Sequence, residues 1–322
     1  MFNTIVANNI SQAATFLTQG NLVAIPTETV YGLAANATNI NAIAKIYAAK
    51  NRPTFNPLIL HVGHTNAIEN YATVDALSQK IINAFMPGPL TILLPKKNTV
   101  NHVITAGSNL VAIRIPMHAL LLQLLNQLPF AIVAPSANIS GYVSPTTAMH
   151  VLESFKNIIP FILDGGACSI GLESTIVQVK NAETVTIHRQ GAITASQIQA
   201  VLPNINIANK VAETIESPGQ LKSHYATKTP LIIGNLTTLI PQYYGQNIAT
   251  LSFKTRFNNV PANRQFVLSP SGNINQAAQH LFIAMRLIDS LGFNAILTET
   301  FPNHGIGFAI NDRLNRAQAI MK

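Results

Sequence analysis

Leu22-Val23-Ala24-Ile25-Pro26-Thr27-Glu28-Thr29-Val30-Tyr31-Gly32-Leu33 runs from four apolar residues straight into a polar phrase. The apolar run has the length of a buried strand, and Pro26 closes it. The phrase beyond combines hydroxyls, an acid and a glycine, side chains small enough to let a ligand approach the backbone. Three further phrases share this chemistry: Lys50-Asn51-Arg52-Pro53, Ala134-Pro135-Ser136-Ala137-Asn138-Ile139-Ser140-Gly141 and Gly171-Leu172-Glu173-Ser174-Thr175. Each follows or interrupts an apolar run. Cations in one phrase and neutral hydroxyl and amide groups in another suit a ligand with both phosphates and a heterocycle, a nucleotide.

Working outward, the first two-thirds of the chain alternates helical and strand patterns. Asn9 can cap a helix that Gly20 stops. Asn41 to Ala49 puts Ile43, Ile46 and Tyr47 on one helical face. Helices are expected over Ala76–Phe85, Ala119–Asn126, Thr147–Phe155 and Ala195–Val201. Strands are expected at Leu22–Ile25, Leu58–Val62, Leu90–Leu94, Val111–Ile115, Phe130–Ala134, Phe161–Leu163, Thr175–Val179 and Thr184–Ile187. Several connections are too short for a helical crossover, so the sheet is expected to be mixed. After Pro230 a second α/β pattern begins, with strands at Leu231–Ile233, Ile248–Leu251, Gln265–Leu268 and Ala295–Thr298. Ile274–Leu291 reads as an amphipathic helix ended by Gly292, and Arg313, Leu314 and Arg316 sit in a last helix. The expected units are residues 1–203, a linker over 204–229 and a smaller domain over 230–322.

Composition narrows the class. The 322 residues are 48% hydrophobic and only 10% charged, with net charge +8. The pI is near 9.7 and mean hydropathy +0.27. The core is large, and Asn, Gln, Ser and Thr must cover much of the surface, because about 25% charge is usual. Scattered Lys and Arg read as general basicity or as a basic cavity or face for phosphates or RNA. Cys168 is the single cysteine, which excludes an intrachain disulfide and a cysteine-based metal site. No Lys or Arg precedes Lys45, against a secretory signal, and no apolar run approaches the ~18 residues of a membrane span. A cytoplasmic protein without a membrane segment is expected.

In order, these phrases resemble the Sua5/YciO/YrdC family in its two-domain Sua5 form. Lys50/Arg52 and Ser136/Asn138 match its Lys-x-Arg and Ser-x-Asn pairs. Pro87–Thr91, Asp164-Gly165-Gly166, Ser217–Gly219, His224–Ala226 and the tail Gly305–Leu314 match further motifs. The resemblance implies a YrdC-like twisted mixed sheet with helices around a basic cavity, followed by a Rossmann-like Sua5 domain. It also implies a reaction: L-threonine, bicarbonate and ATP give threonylcarbamoyl-AMP and pyrophosphate. A tRNA threonylcarbamoyl transferase machinery then uses that product at adenosine 37 of tRNAs reading codons that begin with A. Mg2+ is the expected companion of ATP, no protein-held metal is expected, and direct tRNA contact is open.

The resemblance also implies roles. Lys50 and Arg52 are the catalytic cations. Together with Asn56, Leu110, Ser136, Asn138, Ser144, Arg189 and Tyr225 they would contact ATP. Thr29, His61, Arg114, Ala134 and Ser174 would contact threonine. Each has a plainer alternative: helix-end charges for Lys50 and Arg52, turn chemistry for Ser136, Asn138 and Ser144, a satisfied core histidine for His61. Arg114 stands on an apolar strand, where a charge is costly unless paired; it faces either solvent or the threonine carboxylate, which its fork fits. Leu110 replaces a hydroxyl common in the family, leaving only a backbone contact, and Lys222 and Thr227 depart from its linker pattern. Cys168 reads as an inert small residue. The linker from Ser217 to Ala226 reads as a lid over the cavity or as a passive connector. Two rivals differ in class: an RNA-binding translation factor of the YrdC type, and a hydrogenase-maturation carbamoyl-transfer domain. One cysteine cannot build the zinc fingers of the latter, and no basic cluster interleaved with aromatics supports the former.

Overall fold

The structure, a computed structural model, describes residues 2–209 and 225–318. The strands of its first part are β1 Ile5–Ala7, β2 Val23–Ile25, β3 Gly32–Asn36, β4 Ile59–His61, β5 Leu90–Pro95, β6 Leu110–Arg114, β7 Ile132–Val133, β8 Phe161–Leu163, β9 Thr175–Asn181, β10 Thr184–Arg189 and β11 Asn206–Asn209. They form one 11-stranded sheet in the order β1-β8-β2-β3-β7-β4-β6-β5-β9-β10-β11. The sheet is mixed, as expected: β4 and β6 run parallel, whereas β2 with β3 and β5 with β6 are antiparallel.

Helices cover both faces. They are α1 Ile10–Thr18, α2 Ile40–Lys50, α3 Ala76–Phe85, α4 His102–Thr105, α5 Ala119–Gln127, α6 Ala148–Phe155 and α7 Ala195–Val201. Alternation along β2 decides which face each residue serves. Val23 and Ile25 pack with Leu17 of α1 and Leu121 and Leu124 of α5. Ala24 joins the opposite core, with Ile43 and Ile46 of α2 and Ile81 and Ile82 of α3. Asn9 caps α1 through its side chain, as its sequence position implies. The C-cap of α2 is Asn51, in the left-handed conformation that short polar side chains tolerate. This turn directs Arg52 back toward the sheet.

The second part contains β12 Leu231–Ile233, α8 Leu236–Gln242, β13 Ile248–Ser252, β14 Gln265–Val267, α9 Ile274–Ser290, β15 Ala295–Thr298 and α10 Gly307–Gln318. Its sheet, ordered β12-β15-β13-β14, is parallel throughout. α9 and α10 cover one face, and their apolar residues pack in one cluster with Val30, Val143 and Leu172 of the first part. The two parts therefore share a core. β11 lies beyond Pro203 and belongs to the large sheet. Among the described residues no helix is long and apolar enough to cross a membrane.

Candidate active site

Parallel pairing of β4 with β6 sets His61 beside Arg114 at the carboxyl ends of both strands. Loops after β2 and β7 converge on the same point, tied by the Gly32–Ser136 bridge and by the Leu33 amide, which donates to Pro135 O at 2.8 Å. The cavity between them is lined by Thr29, Arg52, His61, Arg114, Ala134, Ser136, Glu173, Arg189 and Tyr225, among others. Most of the residues that the resemblance assigns to ligands thus meet in one place.

One end of the cavity is built around Arg114, which is 4% exposed. Its Nη2 lies 2.8 Å from Glu28 Oε2, and its Nη1 donates to Thr29 Oγ1 at 2.8 Å. Arg114 does not face solvent: a buried acid partners it. Its Nε has no hydrogen-bond partner among the described residues. Thr29 is held in turn by Thr27, whose hydroxyl accepts from the Thr29 and Val30 amides. His61 Nδ1 lies 3.0 Å from Ile59 O. A carbonyl only accepts, so Nδ1 carries the proton and Nε2 keeps a free lone pair. Burial, with the Arg114 cation nearby, holds the imidazole down at about 3, so it is neutral. His61 is a satisfied buried histidine and also a cavity wall.

The other end is cationic. Arg52 donates from Nε and Nη2 to Asn56 O and Pro57 O, leaving Nη1 without a partner among the described residues. Arg189 donates from Nε and Nη2 to Ser174 O and Oγ, both at 3.0 Å. Burial pulls each guanidinium down to about 10, and Arg189 lowers Arg52 further. Two desolvated like charges around one cavity describe a site for an anion. Ser174 Oγ pairs with Thr91 Oγ1 at 2.7 Å, which ties the last residue of the Pro87–Thr91 phrase to the site.

Lys50 behaves differently from Arg52. Fully enclosed, its Nζ donates to the carbonyls of Ser136 and Asn138 and pins the Ser-x-Asn loop. Burial, then Arg52, lowers its pKa well below the usual value. Asn138 Nδ2 donates to Ile139 O and Tyr142 O. Asn56 is 0% exposed, and both polar atoms of its side chain lack a partner among the described residues. Such an amide costs free energy unless a ligand or water satisfies it. Ser144 Oγ donates to Glu173 Oε1 at 2.5 Å. Leu110 is not among the lining residues: it sits four residues before Arg114, packed beside Ile59, Leu93, Ala112 and Ile176. Cys168 is buried, and burial pushes its thiol up to about 12, an inert group.

Tyr225 lines the cavity, 1% exposed, with φ of 70°. Its ring stacks on Phe282 of α9 at 5.6 Å, and the Arg313 guanidinium lies 5.2 Å from its centroid. The Ala226 amide donates to Gly141 O at 2.9 Å, tying the re-entering chain to the Ser-x-Asn loop. Ser217–Gly219, Lys222 and His224 lie outside the described residues. Sequence reasoning assigned no role to Glu28, Glu173 or Arg313. The signal was present, since Glu28 and Glu173 are acids inside site phrases of a chain with only 12 acids in all. Among the described residues no group of three or more His, Cys, Asp or Glu could hold a metal. Glu28 and Glu173 each face an arginine.

A cavity lined by hydroxyls and small residues, with an acid-paired arginine at one end and two further guanidiniums at the other, defines an α/β protein built to seat a small polar ligand beside a polyanion. Comparisons with known proteins agree. A family model described as telomere recombination matches residues 15–191, and one described as threonylcarbamoyl-AMP synthase, C-terminal domain, matches residues 193–319. The chain is 36% identical to a threonylcarbamoyl-AMP synthase of Pyrococcus abyssi over 95% of this chain and 92% of that protein. A Bacillus subtilis protein of the same name is 37% identical over 96% of this chain and 92% of its own. The crystal structure of P. abyssi Sua5 complexed with L-threonine matches with TM-score 0.89 and 35% identity, covering 98% of this chain and 97% of that one. The chain belongs to the Sua5/YciO/YrdC family, in the two-domain Sua5 form.

Proposed function

We infer that this chain is an L-threonylcarbamoyladenylate synthase, a nucleotidyltransferase of the tRNA threonylcarbamoyladenosine route. The observation that carries the reading is the pairing of two unlike ends in one cavity: Arg114 with Thr29 and His61, and Arg52 with Arg189, Ser136 and Tyr225. The first end suits threonine. The Arg114 fork faces its carboxylate, Thr29 lies in the same wall, and the His61 Nε2 lone pair accepts from its amine or hydroxyl. The second end suits ATP. Arg52 and Arg189 offset phosphate charge, the Ser-x-Asn loop and Asn56 meet polar edges of the nucleotide, and the Tyr225 ring offers an aromatic wall.

The chemistry then needs no protein nucleophile. The threonine amine captures carbon dioxide from bicarbonate as a carbamate. A carbamate oxygen attacks the α-phosphorus, and the bond to the pyrophosphate leaving group breaks. The chain's contribution is to hold two anions in register, offset the developing charge and keep water away. Lys50 acts one layer out, fixing the loop that carries Ser136 and Asn138. On this reading Mg2+ accompanies ATP as part of the substrate. The product passes to a threonylcarbamoyl transferase, in the cytoplasm. Residues 1–209 form the catalytic domain on this reading, and 230–322 a second domain joined by the intervening linker.

Pyrophosphate release tests the proposal. It should require ATP, L-threonine and bicarbonate together. Release that continues when threonine or bicarbonate is omitted would sink it.

A further inference from the structure

Arg313 is 0% exposed and heads the largest fully buried side chains, although it comes from α10 of the second domain. Each of its three guanidinium nitrogens donates to a partner. Nε donates to Glu173 Oε2 at 3.0 Å, Nη1 to Asp312 Oδ2 at 2.8 Å, and Nη2 to Gln190 O at 3.0 Å. Glu173 lines the catalytic cavity, and its other oxygen accepts from Ser144. The face of the same guanidinium lies against Tyr225. The carbonyl of Gln190, next to Arg189, takes the third fork of the contact.

We propose that Arg313 is a positioning residue for the ATP half of the site, so that the second domain completes a cavity carried by the first. The argument rests on what each partner does. Glu173, Arg189 and Tyr225 line the cavity, with Ser144 bonded to Glu173 and Gln190 next to Arg189, whereas the described contacts of Arg114, Thr29 and His61 do not include Arg313. One planar fork therefore fixes an acid, an aromatic ring and a backbone turn at once, and Lys has no equivalent geometry. A second anchor acts in the same direction. Arg286 of α9 donates to Val143 O at 2.7 Å and stacks on Tyr142 at 4.8 Å, and Tyr142 donates to Asp289 at 2.8 Å. Both arginines grip loops of the first domain that lead to the Ser-x-Asn and Gly171–Thr175 phrases. Arg313 is 0% exposed and is not among the residues that line the cavity, so its effect on ATP runs through Glu173 and Tyr225, which are.

This inference rests on the ATP reading of the cavity, and the test separates the two. ATP and L-threonine binding are measured by calorimetry on the full chain and on Arg313→Met, Arg313→Lys, Glu173→Gln and the Arg313→Met/Glu173→Gln pair, each checked for folding by thermal melting. Arg313→Met should weaken ATP at least tenfold while the threonine constant stays within twofold. Arg313→Lys should recover part of the loss, and adding Glu173→Gln to Arg313→Met should cost little more, because the two residues act as one unit. Equal losses for both ligands, or unchanged ATP binding in a folded Arg313→Met chain, would overturn the positioning role. If Arg313→Met does not fold, the ATP-to-threonine ratio in Arg313→Lys and Glu173→Gln decides the matter in the same way. A native chain that binds threonine and fails to bind ATP would instead refute the reading of the cavity itself.

Discussion

Arg114 and His61 sit side by side on adjacent strands, yet they answer different questions. Arg114 is committed to Glu28 on one side and Thr29 on the other, and its Nε remains open. Arg114→Lys keeps the charge and loses the fork. On the proposed role, threonine binding should weaken by at least tenfold, in line with the roughly 1.5–3 kcal/mol of a charge-assisted hydrogen bond, while ATP binding changes little. Calorimetry that finds equal losses would refute a carboxylate clamp. His61 governs acid stability. Its ring is held at about 3 in the fold, against about 6.5 in an unfolded chain. Between those values the unfolded chain takes up a proton that the folded chain refuses. The contribution of His61 is therefore intact above about pH 6.5 and is lost as pH falls toward 3, at up to about 1.4 kcal/mol per pH unit. The urea midpoint should fall between pH 7 and pH 5, and His61→Gln should flatten that fall. A slope unchanged by the substitution would assign the acid limit to other groups.

At the scale of elements, the clearest junction is where α9 meets the Gly171–Thr175 phrase. Gly171 has φ of +81°, and a Cβ there would lie 2.6 Å from Gln279 Cα and 2.7 Å from Gln279 O. Gly171→Ala must therefore push back a helix backbone, with no flexible side chain to yield. Overpacking costs about 1–3 kcal/mol, and the left-handed conformation adds roughly 1–2 kcal/mol for a residue with a Cβ. The variant should melt lower and release pyrophosphate more slowly. An alanine chain with native melting and rate would show that this junction is looser than its geometry. Elements also show what a sequence displays and what it hides. Ala76–Phe85, Ala195–Val201 and Ala295–Thr298 have the bounds that their periodicity and caps predict. β3 does not announce itself, because Gly32-Leu33-Ala34-Ala35-Asn36 has weak strand propensity and is buried on both faces, so tertiary pairing makes the strand. β1 pairs with β8, 156 positions onward at Ile5↔Phe161, a register no local pattern contains. The site was more legible than these strands: its polar phrases break apolar runs in plain view. Glu28 and Glu173 escaped because an acid's value there depends on arginines 86 and 140 residues away, at Arg114 and Arg313.

For the molecule as a whole, the open question is whether the first domain stands alone. Its sheet is complete through β11, and the larger core lies within it. That argues for a chain of residues 1–209 that folds independently. A cut at Pro203 would remove β11, which pairs with β10 from Thr184↔Asn206 to Ile187↔Asn209, and would leave a raw edge. Separation also has a cost. Val143 and Leu172, both 0% exposed, belong to the core shared with α9 and α10, and uncovering each costs about 1.5–3 kcal/mol. Glu173 would lose Arg313, and the cavity would lose the Tyr225 wall. The 1–209 fragment should thus fold with a lower melting temperature, retain much of its threonine binding through Arg114, Thr29 and His61, bind ATP far more weakly, and lose most pyrophosphate release. Adding residues 230–322 as a separate chain should restore little, because Tyr225 lies outside both pieces. If the fragment alone bound ATP as tightly as the full chain, the cationic end would be self-sufficient, and the second domain would serve some other purpose than completing it.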